Sequence, residues 1–127
     1  MDEKEWFRQA SYDIETADDM YKAGRYIYTV FTCHLAVEKG LKGIYYSKFH
    51  NEPPRIHSLT RLIKEAELSV PEDLLPLITQ LSAASVPARY PAELRRLRKE
   101  YGRKKTAEIL RNSRKVLKWL RKELKTS

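Results

Sequence analysis

The chain of 127 residues is 42% hydrophobic and 33% charged, with four glycines and six prolines, which suits one compact domain over residues 1–127 and excludes a disordered or fibrous chain. Its net charge of +8 is uneven: residues 1–94 hold 11 Lys/Arg against 14 Asp/Glu, whereas residues 95–127 hold 14 against 3. The basic excess is therefore wholly C-terminal, which suits a phosphate-rich or acidic partner without fixing a fold or a chemistry.

In the first segment, about Glu3 to Lys22, Trp6, Ala10, Ile14, Ala17 and Tyr21 recur at i, i+4, i+8, i+11 and i+15, the period of an amphipathic helix. Gly24 marks its stop, and "AGRY" reads as a tight connection. The second segment, about Arg25 to His50, predicts a helix of roughly 37 Å at 1.5 Å per residue. One side carries Ile27, Val30, Phe31, His34, Glu38, Leu41 and Tyr45; the other carries Thr29, Ala36, Gly40, Gly43 and Ser47. Each mid-helix glycine costs about 1 kcal/mol relative to alanine. The small side is therefore expected to lie tight against a second helix or a second subunit.

"NEPPR" breaks the helix at its paired prolines. Ser58 then reads as the N-cap of a short apolar stretch with Leu59, Leu62, Ile63, Ala66 and Leu68. "SVPEDLLPLITQLSAASVP" predicts a further short helix with Pro71 early, Glu72 and Asp73 in its first turn, and an exit before Pro87. Across residues 88–104, Pro91 makes Tyr90 extended or turn-like and Gly102 marks another break. The last segment, about Lys104 to Lys125, puts Ile109, Leu110, Ser113, Val116, Leu117, Leu120 and Leu124 on one face. Its opposite face carries Arg111, Arg114, Lys115, Lys118, Arg121, Lys122 and Lys125. Only "YIYTVF" hints at a strand, inside helical context. The fold class is all-α, most simply an antiparallel up-and-down bundle of four to five helices.

Cys33, the one cysteine, allows no internal disulfide and has no metal-ligand spacing around it, so no metal or cofactor is expected. "MDEKEWFRQA" lacks the order of a signal peptide, and no run nears the ~18 apolar residues of a membrane span. A cytoplasmic location without a membrane is the expectation. Gly-rich phosphate loops, His-Glu-x-x-His, G-x-S-x-G and magnesium-type acidic clusters are all missing.

His34 and Glu38 fall about 20° either side of the centre of the bulky face, aimed where the first or last helix should pack. Lys42 lies at the rim, and Asp13 sits on the apolar side of the first helix. A network among Asp13, His34, Glu38 and Lys42 is geometrically conceivable, either as a seam that aligns helices or as one wall of a site. The basic face of the last helix reads as a polyanion surface or a solvated one. "ARYP" offers Arg89 and Tyr90 on a rigid turn, to contact a phosphate or to pair with Glu38 or Asp13.

Four stretches in order resemble the HEPN domain family: "ASYDIETADDMYKAGRYIYTVFTCHLAVEKGLKGIYY", "EPPRIHSLTRLIKEAE", "VPARYP" and the closing amphipathic helix. The most specific part is Ala36 to Lys42, followed by Pro54 to Leu59. The resemblance implies a helical bundle that commonly dimerises and often works beside a minimal nucleotidyltransferase. Many members are metal-independent ribonucleases of toxin–antitoxin or defence systems, with an arginine followed after four to six residues by a histidine. Arg89 matches that arginine, but Leu94, Arg95 and Arg96 stand where the histidine belongs.

The expectation is thus a noncatalytic or weakly catalytic HEPN-like homodimer that binds a nucleotide or RNA phosphate and pairs with a minimal nucleotidyltransferase. Its groove would be lined by His34, Glu38, Lys42, Arg89 and Tyr90, with Asp13 and His57 as secondary candidates. Arg89 and Lys42 would contact phosphate and Glu38 would orient them. The alternatives are a ribonuclease in which His34 or His57 acts with Arg89, and a purely structural interaction module.

Overall fold

The computed structural model describes residues 1–84 and 91–126. They form six helices: α1 (Glu3–Lys22), α2 (Tyr26–Phe49), α3 (Leu59–Glu65), α4 (Leu75–Ala83), α5 (Pro91–Glu100) and α6 (Arg103–Thr126), with no strand among the described residues. The expected all-α class holds, and "YIYTVF" is helical within α2.

Helix α1 starts because the Asp2 carboxylate accepts the Glu5 N–H at 2.9 Å, with Glu3 and Glu5 in the first turn and Lys22 in the last, all matched to the helix dipole. It ends as Gly24 takes φ +78° and the Arg25 N–H turns back onto the Met20 carbonyl. The short turn makes α1 and α2 antiparallel, as the pairs across them show: Phe7 beside Gly43, Asp13 beside Lys39, Met20 beside Thr32.

Helix α6 closes the bundle against both. Arg114 meets Asp18 and Arg121 meets Ser11, so α6 runs antiparallel to α1. Cys33 lies at Ser113 and Gly40 at Leu117 and Leu120, so α6 runs parallel to α2. Helices α3, α4 and α5 carry the chain back between these two long parallel helices. Ile109, Val116, Leu117 and Leu120 of α6 are buried, a face worth about 1.5–3 kcal/mol per large aliphatic side chain.

Helix α2 does not divide into one bulky packing face and one small one, because it is enclosed on several sides. A Cβ at Gly40 would meet Leu117 Cδ2 and Leu120 Cδ1 at 3.0 Å, and one at Gly43 would meet the Phe7 ring at 2.8 Å. The glycines therefore admit α6 and α1 of the same chain, not a second subunit. The opposite side, where α1 or α6 was expected over His34 and Glu38, is instead reached by the α2–α3 connection, which places His57 against Glu38.

Helix α3 has only seven residues, too few to stand alone, and is held by buried Leu59 and Leu62 and by Ser58, whose hydroxyl accepts the Arg61 N–H as expected. Lys48 of α2 donates to the carbonyls of Ala66 and Glu67 at 2.8 and 3.1 Å and pins its far end. Helix α4 starts at Leu75, not at Pro71, so Glu72 and Asp73 precede it in a turn. Pro76 explains the shift: a start at Pro71 would drive its ring into the carbonyl four residues back, whereas in the first turn its missing N–H costs nothing. "PAELRRLRKE" forms α5, anchored by buried Leu97, and Gly102 separates it from α6.

Candidate functional site

The i, i+4 spacing stacks His34, Glu38 and Lys42 along one side of α2. The Glu38 carboxylate is 4% exposed and gathers three nitrogen-bearing side chains. Lys42 Nζ donates to Oε2 at 3.1 Å, and His57 Nδ1 lies 3.2 and 3.1 Å from Oε1 and Oε2. His34 Nδ1 stands further off, 3.9 Å from Oε1. A carboxylate removed from water needs such partners, since an unpaired buried charge costs several kcal/mol. His57 reaches it because the Ile56 N–H bonds the Pro54 carbonyl at 2.9 Å, turning the connection back along α2.

The two histidines differ in what they can do. The His57 side chain is 82% exposed. With Nδ1 committed to Glu38, its Nε2 is left for an outside partner, as acceptor in the neutral ring and donor in the protonated one. His34 is 6% exposed, and its Nε2 is buried with no partner among the described residues. Burial pushes the His34 pKa below the usual histidine value, and the neighbouring His57 adds to this against the opposing pull of Glu38. His34 is thus a neutral core group, and His57 is the histidine that meets solvent.

Lys42 is buried instead of lying at the rim, its ammonium 5.9 Å from the centre of the Trp6 ring. Asp13 is not part of this cluster. It pairs with Lys39 at 2.9 Å, in a geometry outside that of a hydrogen bond, because the α1–α2 register puts those two residues level. Arg89 and Tyr90 lie outside the described residues. On α6, Arg111, Arg114, Lys115, Lys118, Arg121 and Lys122 are all exposed. Two of them are engaged with α1: Arg114 with Asp18 at 3.2 Å and Arg121 with Ser11 at 2.6 Å. The other four have no ion-pair partner among the described residues.

A family model for the HEPN domain matches residues 3–124. The chain belongs to the HEPN family. Its fold is similar to that of TT1696 from Thermus thermophilus, with 25% identity, 94% of this chain and 96% of that one covered, and a TM-score of 0.80. It is also similar to ST0689, an archaeal HEPN homologue, at 23% identity, 98% coverage of both chains and a TM-score of 0.77. A comparison with curated proteins finds no match. In this HEPN domain "AVEKGLK" occupies the middle of α2, where it supplies both the buried pair Glu38–Lys42 and the glycine that admits α6. Among the described residues, no helix is long and apolar enough to cross a membrane, and no group of three His, Cys, Asp or Glu side chains is placed to hold a metal ion.

Proposed function

We propose that this HEPN protein binds a nucleotide or RNA phosphate beside His57, as a homodimer that pairs with a minimal nucleotidyltransferase in a toxin–antitoxin or defence setting. One observation carries the reading: a buried carboxylate, Glu38, holds an exposed imidazole by Nδ1 and leaves Nε2 to the outside. Lys42 balances the charge of Glu38, so the His57 imidazole can face a phosphate without a net negative charge behind it. The cations of α6 that have no ion-pair partner among the described residues, Arg111, Lys115, Lys118 and Lys122, supply long-range attraction for a polyanion.

Fluorescence anisotropy of a labelled single-stranded RNA at several salt concentrations tests this. Affinity should fall with salt and weaken several-fold in His57→Ala. RNA binding that is absent at tens of micromolar protein, or equal in the variant, would overturn it. Sedimentation at 15 kDa would refute the dimer, and co-purification with the neighbouring gene product tests the pairing.

A second reading is favoured by the same pair, because a carboxylate-oriented imidazole is the arrangement of a general base. In a metal-independent ribonuclease, His57 Nε2 would take the proton of a 2′-hydroxyl as that oxygen attacks the adjacent phosphorus. The 5′-oxygen would leave, take a proton from water, and a 2′,3′-cyclic phosphate would remain. Cleavage in EDTA that disappears in His57→Ala and survives in His34→Gln would establish this activity; its absence in the wild type would exclude it.

A further inference from the structure

Exposed apolar side chains scattered singly over a surface need no explanation, but on this molecule they are grouped. Of the five large hydrophobic side chains that are exposed among the described residues, three, Tyr12, Tyr28 and Leu35, border one groove between α1 and α2. Thr32 and Lys39 are the α2 residues that meet α1 on this side. The Thr32 hydroxyl donates to Met20 Sδ at 3.6 Å, and Lys39 pairs with Asp13 at 2.9 Å. Leu35 lies one turn from both, and Tyr28 one turn before Thr32, so the two stack along the α2 edge of the groove. Tyr12 stands on the α1 edge beside Asp13, where a cavity of about 360 Å³ opens between Tyr12, Gln9 and Lys39. From the level of Tyr12 to Tyr28 the groove runs about 18 Å, the rise of roughly twelve helical residues.

The aromatic edges are built to be covered. Tyr12 is 71% and Tyr28 60% exposed, and the Tyr28 ring is held edge-on to Phe31 with 6.3 Å between centres, so it projects from α2 without lying flat on it. Tyrosine offers a large contact area at low cost in side-chain entropy, which suits it to anchoring a partner.

Charge decides the kind of partner. Along α1 from Arg8 to Lys22 both cations are paired, Arg8 with Glu5 and Lys22 with Asp18, and the cation of Lys39 is committed to Asp13. Glu15 and Asp19, three and seven residues beyond Tyr12, are exposed and form no ion pair among the described residues. Helical spacing sets both beside Tyr12. An apolar groove with an unpaired acidic edge thus exists in a chain whose net charge is +8. A polyanion meets repulsion at that edge, whereas an apolar ridge flanked by cations meets complementarity.

We propose that this groove docks an amphipathic helix of a partner protein, its apolar residues on Tyr12, Leu35 and Tyr28 and its Lys or Arg side chains against Glu15 and Asp19. The docking needs neither a phosphate nor His57, so it stands or falls separately from the phosphate reading.

The test titrates the full chain, by fluorescence anisotropy, into two synthetic peptides of about 18 residues, long enough to hold a helix. Both carry the same leucine stripe; lysines flank it in one and glutamates in the other. The net charge of +8 by itself favours the glutamate peptide, so the opposite preference has to come from a local acidic surface. The lysine peptide should bind saturably below about 100 μM and at least tenfold tighter than the glutamate peptide. Tyr12→Ala and Leu35→Ala should each weaken it several-fold, Glu15→Lys with Asp19→Lys should remove the preference, and His57→Ala should change nothing. All four groove positions are exposed, so circular dichroism should show these variants folded. Absence of binding, a preference for the glutamate peptide, or affinity that the groove variants leave unchanged would overturn the proposal. Sedimentation of Leu35→Glu examines the other occupant: a dimer that becomes a monomer would give the groove to a second copy of the chain and refute the proposal, whereas unchanged sedimentation supports it.

Discussion

Whether Glu38 and Lys42 chiefly hold the bundle together is decided by removing them singly and together. Their side chains are 6% and 11% exposed and 3.1 Å apart. Glu38→Met would leave the Lys42 ammonium enclosed without its carboxylate, at a cost of about 3–5 kcal/mol for a broken buried pair. Lys42 retains the face of Trp6 and a route to solvent, which points to the lower end, about 3 kcal/mol. At ~2.1 cal/mol/K per residue, 127 residues convert that into a fall in Tm of roughly 11 °C. Replacing both side chains, Glu38→Met with Lys42→Met, removes both desolvation penalties and should recover most of the loss. His57 is the exposed partner and gives up only a hydrogen bond. Urea unfolding with linear extrapolation gives all three values. A single variant that costs under 1 kcal/mol, or a double variant as unstable as the sum of the two singles, would show that the pair is not a coupled buried unit.

Three further outcomes are expected. Gly43→Ala should destabilise by up to about 2 kcal/mol in urea, because the clash with the Phe7 ring, an overpacking of about 1–3 kcal/mol, outweighs the ~1 kcal/mol of helix propensity gained; Gly40→Ala, facing movable leucine methyls, should cost less, and a stabilised Gly43→Ala would refute the close approach. Because the His34 pKa is lowered by burial, the unfolded chain binds its proton first as pH drops, so the stability His34 contributes is present above about pH 6.5 and is lost as pH falls below it. The urea midpoint of wild type should therefore decline over that window more than that of His34→Gln, and NMR titration should place His34 below the usual histidine value. The Cys33 thiol, pushed up to about 11 by burial, should ignore Ellman's reagent at pH 7.5 until denaturant is added; prompt reaction in the folded protein would contradict its enclosure.

Much of this architecture was legible in the sequence, because periodicity reports burial directly. The bounds of α1 are those its apolar spacing predicts, Ser58 caps α3, and the basic stripe of α6 is exposed as its opposite face implies. What periodicity does not carry is register and path. Asp13 pairs with Lys39 and not with the Glu38 cluster because of how far α1 slides along α2, a quantity set by Phe7 fitting over Gly43. His57 ranked behind His34 because its role depends on a loop that doubles back, and the only local sign was the Pro-Pro pair that forces the turn. The two glycines announced a close approach, yet their partners, α1 and α6, depend on topology. The direction of α6 was likewise invisible, since a helix has the same period read either way. Helix α5 escaped because just Leu94 and Leu97 mark its inner side among ten mostly polar residues.

That direction of α6 has an electrical consequence. Two helices of 24 residues, α2 and α6, begin at the same end of the bundle, and α1 and α5 end there, so the helix dipoles at that end largely offset one another. The side chains therefore set the sign there: Arg25, Arg95, Arg96, Arg98, Arg103 and Lys104 are all exposed around that end. The α1–α2 turn and α5 consequently share one basic end of the bundle, towards which any anion in solution is attracted before contact.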